Sequence, residues 1–337
     1  MSAIAVLGAG AWGTAIAVGL ARAGHRVTLC ARRAEHAAAM RARRENEAYL
    51  PGVPLPAALA LSDRWVEAAG TAEVVVMAVP SGFARTAMTP VGAALGAHTT
   101  LVSVAKGIED GSLKTMSAML AEAAPAVSRV AVLSGPSFAA EVARSKPAAV
   151  VAAARDDAVA RDVQELFASR SLRVYRSTDV VGVELAGAAK NVIAIAAGIC
   201  DGLELGASAR AALITRGLAE VGRLATSAGG RAETMAGLAG LGDLVLTCTG
   251  ELSRNRALGL RIGRGEPAGA STESEHGAAG GRPVAEGMSN ARAIRRLAQR
   301  MGVEMPIVAA VCRVLYEGAA ANAMVEELLS RELKAEF

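Results

Sequence analysis

Three glycines, Gly8, Gly10 and Gly13, follow a short apolar run, and this arrangement constrains the fold more than any other feature. The run Ala3–Leu7 predicts a strand, and Gly13–Ala23 predicts the helix after it. In such a unit the first glycine makes a tight turn. The second lets a pyrophosphate approach the backbone, and the third lets the helix pack closely on the strand. The alternative, a purely structural turn, agrees less well with this context, so we predict a dinucleotide-binding unit.

Strand and helix patterns alternate through the first half of the chain, whereas only helical patterns follow Ser177. Alternation of this kind implies right-handed crossovers and a mostly parallel sheet. We predict an α/β fold: an N-terminal Rossmann-type doubly wound sheet domain, residues 1–180, followed by an all-helical C-terminal domain, residues 181–337. The other predicted strands are Arg26–Ala31, Glu73–Val79, Thr100–Val104, Val130–Leu133 and Ala148–Ala153. The predicted helices of the second half are Val181–Gly198, Ala207–Ala228, Arg254–Arg264, Asn290–Met301 and Pro306–Glu317, with another around Leu244–Leu246.

Composition supports two domains built from small aliphatic side chains. The chain has 337 residues, of which 52% are hydrophobic and only 3% are aromatic, so we expect closely packed helices. Apolar runs such as Val192–Cys200 fall far short of the ~18 residues of a membrane span. The first strand begins at Ala3, which leaves no room for a signal peptide. We therefore expect a cytoplasmic protein without stable membrane insertion.

The charged residues and cysteines suggest neither a nucleic-acid surface nor a metal site. Net charge is only +4, and the one basic cluster, Arg41–Arg44, is expected to be a solvated helix face. No aromatic residues alternate with basic ones to stack bases, so no nucleic-acid partner is expected. The four cysteines form no C-x-x-C pair and are expected to be buried free thiols.

The end of the second predicted strand bears on the choice of cofactor. NAD enzymes usually place an acid there for the ribose hydroxyls, but this chain has Cys30-Ala31-Arg32-Arg33. Arg32 and Arg33 can form forked, charge-assisted hydrogen bonds with a 2′-phosphate. We predict that NADP(H) is preferred and that NAD(H) is possible. The alternative is that both arginines are ordinary surface residues.

A lysine in an apolar helix is the candidate proton donor, because none of the four histidines stands out. Between Glu184 and Asp201, only Lys190 and Cys200 can ionise. Burial lowers the pKa of a lysine towards the range that suits a general acid. The alternative is a lysine that extends to the surface without a role, which the adjacent Asn191 makes less attractive.

Two further polar clusters follow. Asp243 and Thr247 are four residues apart on one helical face. Asp243 could hold Lys190 or bind a substrate hydroxyl, although a helix N-cap after Gly242 is a serious alternative.

The second cluster, Ser253-Arg254-Asn255, offers hydrogen-bond donors at the start of a helix, which suits a phosphate group. Arg256, by contrast, is expected to face solvent.

With these motifs, the chain resembles the bacterial NAD(P)-dependent glycerol-3-phosphate dehydrogenases. The resemblance extends from residue 4 to about residue 318 and is far more specific than the glycine motif alone. The matching segments include Gly8–Ala17, Asn46–Gly52, Ala78–Ser81, Lys106–Glu109, Gly135–Ala139, Glu184–Leu205, Ala211–Gly217, Thr234–Gly250, Leu252–Asn255, Val284–Gly287 and Met305–Val308.

The resemblance implies reversible reduction of dihydroxyacetone phosphate to sn-glycerol 3-phosphate, which supplies glycerophospholipid synthesis. It implies that Lys190 is the proton donor, with Lys106 and Asp243 shaping the field around it. The substrate contacts are expected at Lys106, Gly135, Ser137, Lys190, Asn191, Asp243, Thr247, Ser253, Arg254 and Asn255. The cofactor contacts are expected at Gly8, Gly10, Trp12, Gly13, Arg32, Arg33, Lys106, Ala139, Arg254, Val284 and Glu286.

Three questions stay open in the sequence. A hydroxy-acid reductase of the same two-domain plan, or a non-enzymatic NADP-binding sensor, would share the glycine motif. The predicted loop Gly265–Pro283, which leads into Val284 and Glu286, is longer than the family's usual loop. Apolar helical surface in the second domain favours a homodimer.

Overall fold

The computed structural model describes residues 1–267, 285–333 and 335. Val284 and most of the predicted loop Gly265–Pro283 therefore lie outside the described residues. The strands are β1 Ala3–Leu7, β2 Arg26–Cys30, β3 Glu45–Asn46, β4 Leu50–Pro54, β5 Ala60–Ser62, β6 Val74–Met77, β7 Thr100–Ser103, β8 Arg129–Ser134, β9 Ala148–Ala154 and β10 Leu172–Ser177. The helices of the first half are α1 Ala11–Arg22, α2 Ala34–Arg43, α3 Trp65–Gly70, α4 Ser81–Gly92, α5 Met116–Ala123, α6 Ala139–Ala143 and α7 Asp157–Phe167. Those of the second half are α8 Val180–Gly202, α9 Gly206–Ser227, α10 Ala232–Ala236, a π-helical turn Leu238–Gly242, α11 Asp243–Thr249, α12 Arg254–Gly263, α13 Glu286–Arg300, α14 Pro306–Tyr316 and α15 Ala321–Leu329.

The predicted fold class is confirmed. Eight strands form one sheet in the order β10-β9-β8-β7-β6-β1-β2-β5. Neighbouring strands are parallel except β8 and β9, which are antiparallel. The chain leaves β1 for β2 on one side and later returns to β6 on the other, so the strand order reverses beside β1. In open α/β sheets, this switch point is where ligands bind, beyond the carboxyl ends of the strands.

The strands that sequence patterns did not predict have short or polar sequences. β5 has only three residues, and β3 and β4 form a separate small hairpin. β10 is the outermost strand of the sheet, and its arginines Arg173 and Arg176 are exposed while Val174 is buried. An edge strand of this kind buries little apolar surface, so its pattern is weak.

Helix α8 is the centre of the helical half. Its residues 180–202 are apolar and long enough to cross a membrane by length and composition, but 94% of its most apolar stretch is buried inside the protein. Burial on all sides explains why the helix is apolar nearly all round. Sheet strand β10 ends at Ser177 and α8 begins at Val180. The domain division between residues 180 and 181 stays a prediction.

Helices α8 and α12 pack closely through paired glycines. A Cβ on Gly198 would overlap the carbonyl oxygen of Arg256, and one on Gly259 would overlap that of Ile195. Backbones can approach this closely only where side chains are absent. The close packing of helices that the small side chains predict is therefore observed between α8 and α12.

The basic cluster Arg41–Arg44 only partly follows its predicted exposure. Arg41 and Arg43 are exposed on α2. Arg44 instead is half-buried, and its guanidinium donates hydrogen bonds to the carbonyl oxygens of Pro56 and Leu59. The prediction of a fully solvated face was wrong for this residue, because Arg44 ends α2 in the left-handed conformation and its side chain bonds to the loop before β5.

A buried carboxylate on α9 accepts hydrogen bonds from the start of helix α14. Glu220 on α9 accepts hydrogen bonds from the backbone N–H groups of Ile307, at 2.8 Å, and Val308, at 3.3 Å. These are donors that a helix start leaves without intrahelical partners. Burial nevertheless raises the pKa of Glu220 to about 7, because the backbone donors only partly replace water.

This raised pKa makes the stability of the fold depend on pH. The folded protein holds the Glu220 proton more tightly than the unfolded chain does. The free energy of unfolding should therefore fall as the pH rises from 4.5, the ordinary pKa of a glutamate, to about 7. The loss is about 3 kcal/mol. Glu220→Gln should remove this difference in the free energy of unfolding between pH 5 and pH 8, as measured by urea titrations at the two pH values. Glu233 is exposed, so Glu233→Gln should keep the wild-type pH dependence. The same pH dependence in Glu220→Gln as in wild type would contradict the assignment.

Candidate active site

The glycine motif forms a cradle of which only the middle position is open. Gly8 has φ +113°, and a Cβ there would lie 2.5 Å from the carbonyl oxygen of Ala78. A Cβ on Gly13 would overlap the carbonyl oxygen of Gly8, whereas one on Gly10 would meet nothing within 4 Å. Gly10 is also the N-cap of α1 and supplies no capping side chain. The helix start thus presents free N–H groups beside open space, which is the surface that a pyrophosphate requires.

Asn46 braces this cradle, and sequence reasoning assigned it no role. Its Nδ2 donates to the carbonyl oxygen of Ala9 at 3.0 Å and to Oγ1 of Thr14 at 2.7 Å. Its Oδ1 lies 3.0 Å from Nε2 of His36. Asn46 is 1% exposed. Its place in the segment Asn46–Gly52 was the only signal in the sequence.

The other described cofactor candidates lie around the cradle. Arg32 and Arg33 are exposed and directly follow the carboxyl end of β2, next to β1 in the sheet. Trp12, in the first turn of α1, is half-buried, and its Nε1 has no hydrogen-bond partner among the described residues. Ala139 begins α6, which packs against α1.

The second part of the site is a carboxylate between two ammonium groups. Oδ1 of Asp243 accepts from Nζ of Lys190 at 2.6 Å, and Oδ2 accepts from Nζ of Lys106 at 2.7 Å. Asp243 is 1% exposed and Lys190 is 7% exposed. Lys106 comes from the loop after β7, Lys190 from the middle of α8, and Asp243 from the start of α11. Asp243 therefore holds both lysines and does not cap a helix, so the alternative reading as an N-cap was wrong.

The surroundings of Lys190 make its proton easier to lose. Burial lowers its pKa from 10.5 to about 8, with Asp243 opposing the shift and the nearby Lys106 charge adding to it. A second hydrogen bond from Nζ, 2.6 Å long, reaches Oγ1 of Thr247. The Thr247 hydroxyl in turn donates to the carbonyl oxygen of Asp243. Lys190 does not extend to the surface, which was the alternative reading.

The loop after β8 adds a carbonyl oxygen to the lysine pair. The carbonyl oxygen of Gly135 accepts from Nζ of Lys106 and from Oγ of Ser137, both at 3.0 Å. Gly135 has φ +140°, and a Cβ there would lie 2.9 Å from Cα of Val150. A larger residue is therefore excluded at the point where this carbonyl turns towards Lys106.

The start of α12 brings the predicted Ser253-Arg254-Asn255 cluster close to α8 and α13. The Ser253 hydroxyl caps the helix by accepting from the N–H of Arg256. Nδ2 of Asn255 donates to Oδ1 of Asn191, and its Oδ1 accepts from the N–H of Gly287, both at 2.9 Å. Arg254 is exposed. Arg254, the hydroxyl proton of Ser253 and the second Nδ2 proton of Asn255 remain as donors.

Arg256 corrects a sequence prediction. It was expected to face solvent, but its side chain is only 20% exposed and pairs with Asp201 at 2.7 Å. Asp201 also accepts from Arg210. The pairing ties the ends of α8 and α12 together, and it depends on a contact between residues far apart in sequence.

Glu286 completes the charged groups around the lysines. It is the first residue of α13 and is half-buried. Burial raises its pKa, while the charges of Arg254, Lys106 and Lys190 act in the opposite direction. The neighbouring Gly287 donates to Asn255 of α12 at 2.9 Å, so the start of α13 lies against the start of α12 at this site.

An open glycine cradle at a sheet switch point, beside a buried lysine of lowered pKa, is typical of a dinucleotide-dependent oxidoreductase. Two family models match the chain: "NAD-dependent glycerol-3-phosphate dehydrogenase N-terminus" over residues 3–160, and the corresponding C-terminus over residues 179–326. The chain belongs to the NAD-dependent glycerol-3-phosphate dehydrogenase family.

Relatives match along nearly the full length of the chain. A protein of Thiobacillus denitrificans named glycerol-3-phosphate dehydrogenase (NAD(P)+) is 50% identical, over 99% of this chain and 99% of the relative. One of the same name from Geobacter sulfurreducens is 51% identical, over 99% and 98%. The crystal structure of glycerol-3-phosphate dehydrogenase from Coxiella burnetii is 40% identical, covers 97% of this chain and 98% of its own, and superposes with a TM-score of 0.91.

The cradle can be tested by comparing two alanine substitutions. Gly13→Ala should lower the free energy of unfolding by roughly 2 kcal/mol or more, because its Cβ meets backbone. Gly10→Ala should leave the melting temperature nearly unchanged, because its Cβ meets open space, yet weaken NADPH binding about tenfold or more. Differential scanning fluorimetry and fluorescence titration with NADPH measure the two effects. Equal NADPH affinity in wild type and Gly10→Ala would rule out the cradle as the pyrophosphate site.

Proposed function

We propose that this chain reduces dihydroxyacetone phosphate to sn-glycerol 3-phosphate with NADPH or NADH, and catalyses the reverse reaction. The observation that carries the proposal is the buried Asp243 carboxylate with Lys190 on one oxygen and Lys106 on the other. Carbonyl reduction needs a proton donor and a positive field around the developing alkoxide. The names of the relatives support this substrate pair.

Lys190 is the proposed general acid. Its pKa of about 8 lies near neutral pH, so the ammonium is both populated and able to release a proton. As charge develops on the substrate oxygen at C2, Lys190 donates a proton to it. Asp243 and Thr247 hold Nζ in place through two 2.6 Å hydrogen bonds. In the reverse direction, neutral Lys190 takes the proton back.

Lys106 supplies positive charge without giving up a proton. It is fixed between Asp243 and the carbonyl oxygen of Gly135, so little reorganisation is needed when the alkoxide forms. Asp243 keeps the two ammonium groups together, which would otherwise repel each other. We assign Lys106 and Asp243 to the reacting centre, with Ser137, Gly135, Asn191 and Thr247 beside it.

The substrate phosphate is assigned to the start of α12. Arg254 provides a forked donor, and the remaining protons of Ser253 and Asn255 belong to the same helix start. Binding energy from the phosphate would orient the distant carbonyl and stabilise the transition state.

The cofactor is assigned to the cradle at Gly8, Gly10 and Gly13, whose open middle position fits a pyrophosphate. When bound, the nicotinamide supplies the hydride that reduces C2. We assign further cofactor contacts to Trp12, Ala139, Lys106, Arg254 and Glu286. Val284 lies outside the described residues and stays a prediction.

Turnover of two substrates tests the reaction. Wild-type protein should oxidise NADPH with dihydroxyacetone phosphate much faster than with dihydroxyacetone, because only the former binds at Arg254. Lys190→Ala should lower kcat by roughly 10²–10⁴-fold, measured as the fall in absorbance of NADPH. Lys114→Ala is the matched control and should retain wild-type activity; the Lys114 side chain is 41% exposed and pairs with Glu122.

The outcomes separate the alternatives. Equal turnover of both substrates would move the assignment to a reductase that needs no phosphate. NADPH binding without turnover by folded wild-type protein would contradict an enzymatic function. A Lys190→Ala variant as active as wild type would leave the reaction in place but remove its proposed donor.

We further propose that NADPH is preferred over NADH. Arg32 and Arg33 lie at the carboxyl end of β2, where the adenosine ribose binds in this fold. Replacing both by Ala should raise KM for NADPH at least about tenfold, from lost charge-assisted hydrogen bonds of ~1.5–3 kcal/mol, and should barely change KM for NADH. Arg26→Ala, at the opposite end of the same strand, should change neither. A wild-type preference for NADH would overturn the proposal.

The biological setting follows from the reaction and the relatives. We propose that the product supplies glycerophospholipid synthesis in the cytoplasm. We also propose a homodimer, since Leu241, Val245 and Leu252 leave apolar surface exposed in the helical half. Residues 1–180 would bind the cofactor, and residues 181–337 would contribute most substrate contacts.

A further inference from the structure

Asn290, on α13, is a buried amide that contacts both halves of the chain. It is 0% exposed. Its Nδ2 donates to the carbonyl oxygen of Lys106 at 2.8 Å and to that of Ala188, in α8, at 3.4 Å. Lys106 belongs to the loop after β7, whereas Ala188 lies two residues before Lys190 on the same helix. One side chain thus connects the backbone segments that carry both lysines.

The loop at Lys106 has little freedom to move in the direction of α4 and α13. A Cβ on Gly107 would overlap Oγ of Ser81, at the start of α4, and would lie 2.7 Å from Oδ1 of Asn290. The Lys106–Gly107 segment is therefore packed between two helices, and Asn290 provides its hydrogen bond on one side. The location of the Lys106 side chain depends on this anchored backbone.

Asn290 makes these bonds at a cost. Its Oδ1 is buried and has no hydrogen-bond partner among the described residues. An unpaired buried acceptor is unfavourable, so an apolar side chain of similar volume would suit packing alone better. The amide is explained if its donors are needed at Lys106 and Ala188.

We propose that Asn290 is a positioning residue that holds Lys106 against Asp243, and so fixes the lysine pair around that carboxylate. The inference rests on the function proposed above. Asn290 touches none of the reacting groups of Lys190 or Asp243 and acts through the backbone of Lys106. A shift of about 1 Å in a fixed catalytic charge can cost on the order of 100-fold in rate.

A double-mutant cycle tests whether Asn290 acts through Lys106. In the wild-type background, Asn290→Ala should lower kcat with dihydroxyacetone phosphate about 10–100-fold. In a Lys106→Met background, the same substitution should change kcat by less than about threefold, because the ammonium that Asn290 positions is already absent. Equal factors in both backgrounds would overturn the inference.

Ile294→Ala is the matched control for helix packing. Ile294 lies one turn further along α13 and is 0% exposed, so its truncation weakens the same helix without touching the Lys106 carbonyl. It should lower the melting temperature as much as Asn290→Ala or more, while kcat at 25 °C falls far less. A similar loss of kcat in both variants would reduce the role of Asn290 to packing.

The pH profile is a second readout. The groups that act on Lys190 are Asp243, Glu286 and Lys106, of which only Lys106 lowers its pKa. When Lys106 moves away, the alkaline fall in kcat should begin at higher pH in Asn290→Ala than in wild type. An unchanged profile would contradict displacement of the ammonium.

A crystal structure of Asn290→Ala gives a measurement that does not depend on activity. The distance from Nζ of Lys106 to Oδ2 of Asp243 should increase from 2.7 Å to beyond hydrogen-bond length. A distance that stays at 2.7 Å would overturn the inference whatever the reaction. Failure of wild-type protein to reduce dihydroxyacetone phosphate would instead contradict the proposed function alone.

Discussion

The Asp243 carboxylate is the interaction on which the site depends. It is nearly inaccessible to water, and its two oxygens bind lysines from different parts of the chain. A buried charge is tolerated only when it is paired and hydrogen-bonded, so each of the three groups makes the burial of the others possible. Two cations on one anion also leave an excess of positive charge. Burial lowers the pKa of Lys190, and the Lys106 charge adds to that effect while Asp243 opposes it. The excess positive charge would be neutralised by an alkoxide.

The topology of the sheet explains how these groups meet. Gly8, Lys106 and Gly135 follow the carboxyl ends of β1, β7 and β8, which lie on the same edge because the strands are parallel. Residues more than a hundred positions apart are thereby brought to one surface. Helix α8 then brings Lys190 to this edge from the helical half. The cradle and the lysine pair therefore both depend on the parallel strands ending at one edge of the sheet.

Sequence patterns were sufficient where the signal was local. The strand before Gly8 and the helix after it can be read from periodicity, and Lys190 is conspicuous as a lone ammonium in an apolar helix. The partners of Asn46, Asn290 and Arg256 are set by contacts across the fold, so nothing in their neighbours distinguished them from surface polar residues. Strand β10 was missed for a different reason: its local pattern is too polar to indicate a strand.

The fold alone does not determine the substrate. A glycine cradle and a buried lysine fit the reduction of many carbonyl compounds, and neither distinguishes a phosphate ester from a hydroxy acid. We assign the distinction to the start of α12. There Ser253 and Asn255 are already committed to capping Arg256 and to holding Asn191 and Gly287. Their bonds fix the helix start, and the exposed Arg254 is its principal charge. In the proposed function, a fixed helix start that carries a cation would select an anion at a set distance from Lys190, so substrate choice would depend on the structure around Arg254 as much as on Arg254 itself.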